Sequence, residues 1–218
     1  MAFNCGVSFG ACMVRITKLD ENGNVIAGQN SYVSDKLVSV GVSPNNEAGD
    51  SFTVRSGCGC SIARRRFPDT FNWWELALST AALEPQMIAF MLGAETIEDG
   101  ADVVGVAFPS ALACDEASPK VAFEFWTEHI VGSGLDAVYP YFHHVYPAVT
   151  WVMGDNTFES GPAQPTLNGI SQTNGNWGSG PYGDGPPDGQ DISEGGIWAT
   201  ADPLPTADCA AAAVTSTS

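Results

Sequence analysis

Short segments of alternating apolar and polar residues, separated by turn residues, recur along this chain and restrict it to a mainly β fold. In ACMVRITKL, Cys12, Val14 and Ile16 fall on one face of an extended chain, and the residues between them fall on the other. This alternation predicts a half-buried strand, followed by a tight turn in DENGN. A second alternating segment, KLVSVGVSP, is expected to end at Pro44. Further strands are predicted in SFTVR, DVVGVAF, KVAFEFWTEHI and YFHHVYPAVTWVMG, and a buried strand in FNWWELALS.

One segment, EPQMIAFMLGA, has helical rather than strand-like spacing. Pro85 suits the first turn of a helix, and Gly93 suits a left-handed residue at its C-terminal end. Met87, Ile88 and Met91 place apolar side chains on one helical face. We therefore expect a single helix that packs against the sheet.

The composition changes after the last of these predicted strands. Residues 154–205 are dense in Gly, Pro, Asn and Asp, which predicts little regular secondary structure. The segment also carries aromatic residues, in which disordered linkers are poor. We therefore predict a single domain over residues 1–205, in which 154–205 form an extension that orders against a partner. A loose tail is predicted over 206–218.

The chain of 218 residues is strongly acidic, with a formal net charge of −17 from 25 acidic and eight basic residues. Phosphate neutralisation requires many Lys and Arg side chains, so this balance argues against nucleic-acid binding. No Lys or Arg follows Lys120. No apolar run is long enough to span a bilayer. The start lacks the basic region of a secretory signal, so we expect synthesis in the cytoplasm with reduced thiols.

The exception to this acidity is RSGCGCSIARRRFP, residues 55–68, which holds four of the eight basic residues. The Cys-x-Cys spacing of Cys58 and Cys60 is shorter than the usual zinc-ligand spacing, and no second pair follows. A catalytic thiol would need a base that the sequence does not place. We therefore interpret this glycine- and cysteine-rich stretch as a tight connection with small buried side chains. No metal, other cofactor or enzymatic activity is expected.

Three other sets of polar residues give weak signals of a site. His143 and His144 are adjacent in a predicted strand, so they point to opposite faces and cannot line one site. Glu124 and Glu128 share a face, but nothing indicates the cleft that a pair of glycosidase carboxylates requires. Three aspartates of the glycine-rich extension do not follow the spacing of a calcium-binding loop. They are Asp184, Asp188 and Asp191.

Four stretches carry a resemblance when they are taken in order. They are ACMVRITKLDENGNV with YVSDKLVSVGVSP; RSGCGCSIARRRFPDTFNWWELALS with PQMIAFMLG; KVAFEFWTEHI; and YFHHVYPAVTWVMGDNTF running on to NGNWGSGPYG. Together they resemble the tail tube (major tail) proteins of long-tailed bacteriophages over most of residues 11–185. The tripled arginine and the long acidic end match no feature of that family, so they are interpreted from physical chemistry alone.

The resemblance implies a β-sandwich or barrel with one flanking α-helix and extended loops. It implies six copies in a ring and rings stacked into a helical tube, with strands of neighbouring subunits closing an inner β-wall. The implied function is that of a structural virion protein. Its tube would conduct DNA during ejection without binding it specifically, and an acidic wall suits that task. The implied partners are further copies of the chain, the tape-measure protein and the tail terminator, and no membrane is involved.

The basic patch has a physical interpretation within such an assembly. On an acidic chain, a compact cluster of arginines complements the acidic faces of a neighbouring copy. We therefore expect Arg64, Arg65 and Arg66 to lie at a subunit interface, with Arg65 facing away from the other two in an extended segment. The aromatic residues of the glycine-rich extension are expected to anchor the same kind of interface. They are Trp177, Tyr182 and Trp198.

Two alternative functions belong to other classes. A carbohydrate-binding β-sandwich would use exposed Trp and Tyr side chains and remain a monomer. A thiol or metal enzyme would use Cys58 and Cys60. The size of the purified particle separates the assembling protein from both alternatives, because only the tube protein forms a filament.

Overall fold

A computed structural model describes residues 5–26, 30–82, 84–100, 102–108, 119–155, 164–207 and 211–213. The described chain is mainly β with one short helix, which confirms the mainly β class and the single helix predicted from the sequence. The elements, in chain order, are β1 (Val7–Lys18), β2 (Asn30–Ser34), β3 (Leu37–Glu47), β4 (Ser51–Arg55), β5 (Ser61–Arg66), β6 (Thr70–Thr80), α1 (Pro85–Leu92), β7 (Glu95–Asp99), β8 (Asp102–Ala107), β9 (Lys120–Val131), β10 (Gly134–Leu135), β11 (Tyr141–Met153), β12 (Thr166–Ser171), β13 (Gly196–Thr200) and β14 (Ala211–Ala213).

Ten of the strands form one large antiparallel sheet. Its strand order is β14-β2-β1-β9-β11-β12-β6-β3, with β10 paired to β9 and β13 paired to β11. Strands β1 and β3 approach each other although they are far apart in this order, so the sheet curls back on itself. The other four strands form two separate hairpins, β4–β5 and β7–β8.

One face of the curled sheet packs against α1. The helix begins at Pro85, and Gly93 follows its last residue with a φ of 65°, the left-handed conformation that the sequence predicts. Met87, Ile88 and Met91 are fully buried. Met87 and Met91, together with Phe90, form one core cluster with apolar side chains from β1, β2, β6, β9, β11 and β12. The predicted packing of the helical face on the sheet is therefore confirmed.

The opposite face is also buried at the centre of the sheet. On β9, Phe123 and Phe125 belong to the core cluster beside the helix, whereas Glu124 and Trp126 are buried on the other face. The cover on that face includes the glycine-rich segment, which contributes Trp177 to a second apolar cluster. Strand β1 is buried on both faces from Met13 to Thr17, so the half-buried strand predicted for this segment is wrong. Alternation along one strand does not show what covers its polar face.

Two further strand predictions are corrected. Strand β3 does not end at Pro44 but continues to Glu47. Because β3 is the last strand in the sheet order, its unpaired edge tolerates a residue without a backbone N–H. Strand β6 is not buried along its length: its first half is largely exposed, and only Leu76, Leu78 and Thr80 are buried.

The C-terminal third contains more regular structure than its composition predicts. Strands β12 and β13 lie within residues 154–205, and both pair with β11. Ala211–Ala213 pair with β2, so the loose tail predicted over 206–218 is wrong for these three residues. Residues 208–210 and 214–218 of that prediction lie outside the described residues. No helix in the described part of the chain has the length and apolar character needed to cross a membrane.

Candidate assembly surfaces and the buried ion network

A long exposed arm is formed by residues 43–73. It contains the outer parts of β3 and β6 and, beyond them, the β4–β5 hairpin, and none of its residues is buried. Several of its apolar side chains are exposed, namely Phe52, Val54, Ile62, Phe67, Phe71 and Trp73. An isolated two-stranded hairpin is only marginally stable in water, and exposed apolar patches mark contact sites. The arm therefore has the properties of a segment that a partner completes.

Local hydrogen bonds fix the base of the hairpin. The Phe67 N–H donates to the Asp50 carbonyl at 2.9 Å. The Asp69 carboxylate accepts from the Gly49 N–H at 3.0 Å and from Arg66 at 2.9 Å. These two bonds lower the pKa of Asp69. A Cβ at Gly49 would collide with the Phe67 carbonyl oxygen, so the close approach of the two chain segments requires glycine.

Cys58 and Cys60 lie at the tip of this hairpin. The Ser56 N–H donates to the Cys60 carbonyl at 2.8 Å, and Gly59 turns the chain with a φ of 80°. The tight connection predicted from the sequence is present, but both cysteines are exposed, so the prediction of buried side chains is wrong. The hairpin extends away from the sheet, and no element of the described chain covers its tip. Both thiols are free, whereas Cys114 and Cys209 lie outside the described residues.

The three consecutive arginines lie on β5 and are exposed. Arg65 pairs with Phe52 across the hairpin. Because side chains alternate along a strand, Arg65 faces away from Arg64 and Arg66, as the sequence predicts. The Arg65 guanidinium lies 4.7 Å from the centroid of the Phe67 ring. It therefore covers part of the apolar surface on its own face of the arm.

Arg66 differs from its two neighbours because it has an acidic partner in its own chain. Its Nη2 lies 2.9 Å from Asp69, three residues further on. This contact satisfies Arg66 in part within its own chain, and its role at a subunit interface stays a prediction. No described carboxylate lies within ion-pair distance of Arg64 or Arg65, so their role at an interface stays a prediction.

The second separate hairpin, residues 95–107, is acidic. Four carboxylates are exposed along it, and none forms an ion pair with another described residue. They are Glu95, Glu98, Asp99 and Asp102. Ile97, Val104 and the following Phe108 are also exposed, by 50%, 59% and 58%. An open cleft of about 590 Å³ separates this acidic hairpin from α1, and Phe90 and Val103 are among its lining residues.

A network of charged groups is buried on the face of the sheet opposite the helix. Arg15 on β1 donates from Nε and Nη2 to the two carboxylate oxygens of Glu124 on β9, each at 2.7 Å. The His143 Nε2 lies 3.2 Å from the same carboxylate. From the glycine-rich segment, Asp184 accepts a third bond from Arg15 at 2.8 Å. A strand at the start of the chain is thus linked to a segment near its end.

The electrostatics of this network keep both central groups ionised. Burial alone would raise the pKa of Glu124, but the charge of Arg15 and the hydrogen bonds from His143 and Arg15 lower it to about 2. Burial alone would lower the pKa of Arg15, but the charges of Glu124 and Asp184 raise it above its ordinary value. A carboxylate this acidic does not serve as a general acid near neutral pH. The network therefore has the chemistry of a structural link.

The aromatic residues predicted to anchor a subunit interface pack against their own chain. Trp177 is 5% exposed and lies in a cluster with Leu19 and Val145. Tyr182 stacks on the Arg15 guanidinium, with 3.6 Å between Cζ and the ring centroid. Trp198, on β13, contacts the His143 ring at 4.5 Å. These contacts correct the expectation that residues 174–198 order only against a neighbouring copy, because the sheet itself supplies their packing surface.

The other sequence candidates do not come together as a site. His143 and His144 occupy opposite faces, as predicted: His143 stacks on Trp126 at 4.2 Å, and His144 stacks on Phe125 at 4.3 Å. Glu124 forms an ion pair with Arg15, so it does not act together with Glu128 as a pair of catalytic carboxylates. Within the described ranges, no three His, Cys, Asp or Glu side chains are arranged to hold a metal ion.

The sequence interpretation missed the ion network, although one signal for it was present. Glu124 interrupts KVAFEFW, an otherwise apolar segment from Val121 to Trp126. A charge within a run that is buried on both faces requires a buried counter-charge. Arg15 stands at the corresponding place in the predicted strand ACMVRITKL, but only the pairing of β1 with β9 identifies it as the partner.

Comparison of the sequence with protein families and with curated proteins finds no match. The surfaces described above are therefore interpreted from their own chemistry. Two of them are exposed and unpartnered in the described chain, the arm and the acidic hairpin. The ion network, in contrast, is enclosed, and Arg15 is paired with Glu124 and Asp184 within the chain.

Proposed function

We propose that this chain is a structural subunit that assembles as stacked hexameric rings into the tail tube of a long-tailed bacteriophage. Such a tube conducts DNA during ejection. Its partners are further copies of the chain, the tape-measure protein and the tail terminator. The order of sequence motifs suggests the family, and the exposed arm supports self-assembly.

The arm is the observation that carries this proposal. Residues 43–73 contain no buried side chain, yet they expose aromatic residues such as Phe52 and Phe71. A protein that worked as a monomer would gain no stability from a segment of this kind. A subunit gains it on assembly, because contact with another copy removes the apolar surface from water.

The sheet edge and the charge distribution add support. Strand β3 ends the sheet order, and an unpaired strand edge is a ready surface for adding a strand from another copy. The net charge of −17 suits a conduit for DNA, because carboxylates repel phosphates and do not retain them.

The alternative functions have less support in the structure. A carbohydrate-binding surface would need exposed aromatic platforms in the glycine-rich segment, but Trp177 is buried and Tyr182 is stacked on Arg15. A thiol enzyme would need a site that excludes water, whereas Cys58 and Cys60 lie at an exposed hairpin tip.

The direct test is the size and shape of the purified full chain. Sedimentation velocity and negative-stain electron microscopy, over a range of protein and salt concentrations, should show rings and long tubes with a central channel. A chain that remains monomeric at all concentrations, at neutral pH and both low and high salt, would contradict the proposal.

A further inference from the structure

We propose that the arm of one copy docks on the acidic hairpin, residues 95–107, of a neighbouring copy. This inference rests on the proposed function, because it requires that copies of the chain associate with one another. It adds the identity of the two surfaces that meet. One of them is basic and aromatic, and the other is acidic and aliphatic.

The charges of the β4–β5 hairpin and of the acidic hairpin are opposite in sign. The arm carries four of the eight basic residues of the chain, and the acidic hairpin carries four carboxylates. No ion pair joins the two hairpins within the described chain, and Arg64 and Arg65 have no acidic partner there. Because the rest of the chain is acidic, the arm is the cationic surface best able to offset repulsion between copies.

The apolar side chains give the contact a source of affinity beyond charge. Phe52 and Ile62 on the arm are 61% and 68% exposed, and Ile97, Val104 and Phe108 are similarly exposed on or beside the acidic hairpin. Exposed ion pairs contribute little by themselves. Burial of apolar surface between charged rims is the usual composition of a stable interface.

The cleft beside the acidic hairpin gives the arm a place to enter. Glu95 and Glu98 line it together with Phe90 from the helix. Lys18 also lines it, with its ammonium 4.4 Å from the Phe90 ring centroid. The positive charge of Lys18 would repel an arginine of the arm that entered the cleft. We therefore place the apolar side chains of the arm over the cleft and its arginines against the exposed carboxylates.

The topology of such a contact agrees with a tube. The arm and the acidic hairpin are different surfaces, so each copy can use its arm on one neighbour and its hairpin on another. A contact of this heterologous kind generates closed rings or open filaments instead of a closed dimer. A second copy of this chain is therefore the partner that fits both surfaces.

Charge reversal tests the docking. Arg64→Glu with Arg65→Glu makes the arm acidic, and Glu98→Arg with Asp99→Arg makes the other hairpin basic. Each pair should raise the protein concentration needed for assembly at least about tenfold, since like charges placed opposite each other cost several kcal/mol. An equal mixture of the two variants should assemble near the wild-type concentration, because the acidic arm of one matches the basic hairpin of the other. All four substitutions in one chain should also restore assembly.

The matched control reverses two exposed acids elsewhere. Glu21→Arg with Asp188→Arg changes the net charge by the same amount as the substitutions on the acidic hairpin, but on the turn after β1 and in the glycine-rich segment. It should leave the assembly concentration within about threefold of wild type, because non-contacting charges are screened beyond roughly 8 Å. Failure of the mixture and of the fourfold variant to recover would overturn the docking.

Cross-linking separates the docking from the tube itself. Cys60 at the arm tip and a Val104→Cys substitution should be joined by a short bismaleimide, and mass spectrometry of peptides from an isotope mixture should identify links between copies. Cross-links in small oligomers without tubes would sustain the docking and contradict the tail-tube proposal. Tubes of the Val104→Cys variant that lack the cross-link, together with unimpaired tube formation by both charge-reversal variants, would sustain the tube and overturn the docking.

Discussion

Arg15 and Glu124 lie directly opposite each other on neighbouring strands and form a buried bidentate ion pair with both contacts at 2.7 Å. Their side chains are 6% and 2% exposed. Strand β1 begins the chain and β9 lies more than a hundred residues later, so the pair fixes a long-range strand register. A shift of β1 by one residue against β9 would move Arg15 to the apolar face that packs against the helix and would separate it from Glu124.

The first prediction concerns the coupling within this pair. Arg15→Met or Glu124→Leu alone leaves a buried charge without its partner and should lower the free energy of unfolding by about 3–5 kcal/mol. The double substitution removes both charges and should cost much less than the sum. Urea unfolding of the four proteins measures the cycle. Additive losses would show that the two side chains do not stabilise each other.

The second prediction concerns pH and His144. Burial and the charge of His143 lower the pKa of His144 to about 4 from an ordinary 6.5. The unfolded chain therefore binds a proton before the folded chain does, and stability should fall as the pH falls from about 6.5 to 4. The loss should be about 1–3 kcal/mol, given that the ring is partly accessible to solvent.

A matched variant assigns this dependence to His144. The His144→Gln variant keeps a polar side chain next to Phe125. Its free energy of unfolding should depend less on pH between 6.5 and 4 than that of wild type. The decrease in the free energy of unfolding below pH 4 should remain. The remaining loss has a separate origin, since the pKa of Glu124 is lowered from 4.5 to about 2 and its contribution disappears as the pH falls through that window. An unchanged profile in the variant would exclude His144 as the source.

How much of this fold could be predicted from the sequence depends on how local each cause is. The helix bounds follow from Pro85 and Gly93, whose effects are confined to a few residues, and both predictions are confirmed. The opposite orientation of His143 and His144 also follows from the geometry of a single strand. Each of these features is determined by residues that are close together in the sequence.

The errors concern residues whose environment is supplied from a distance. The glycines and prolines around Trp177 predict an interface position for it, yet its packing surface comes from Leu19, just after β1, and from β9 and β11. Cys58 and Cys60 were expected to be buried because they are small, but the hairpin carries them away from the core. The alternation places Arg15 on the polar face of a strand. In the structure this face is covered, and Arg15 bonds to Asp184, which lies 169 residues away in the sequence.

The third prediction follows from the corrected position of Trp177. Trp177→Ala should lower the free energy of unfolding by about 3–5 kcal/mol, because it opens a cavity under the glycine-rich segment. Assembly at a temperature at which the variant remains folded should be nearly unchanged. Thermal unfolding and sedimentation of the same samples provide the two measurements. A variant with wild-type stability but impaired assembly would restore the interface role that the sequence predicts.

The fourth prediction isolates the arm from the rest of the fold. The bond from the Phe67 N–H to the Asp50 carbonyl brings the two ends of the β4–β5 hairpin together. Residues 51–66 can therefore be replaced by two glycines that close the chain across this bond. Because none of the removed residues is buried, the free energy of unfolding should change by no more than about 1 kcal/mol. The shortened chain should remain a folded monomer and form no tubes.

Two measurements make this result specific. Circular dichroism and urea unfolding should show that the shortened chain keeps its sheet, which excludes misfolding as the cause of lost assembly. A Cys58→Ser and Cys60→Ser variant keeps the hairpin but removes its thiols, and it should assemble like wild type. Because residues 51–66 hold the exposed side chains of Phe52, Val54 and Ile62 and four of the eight basic residues, their removal leaves copies that repel one another. Tubes formed normally by the shortened chain would show that assembly uses other surfaces.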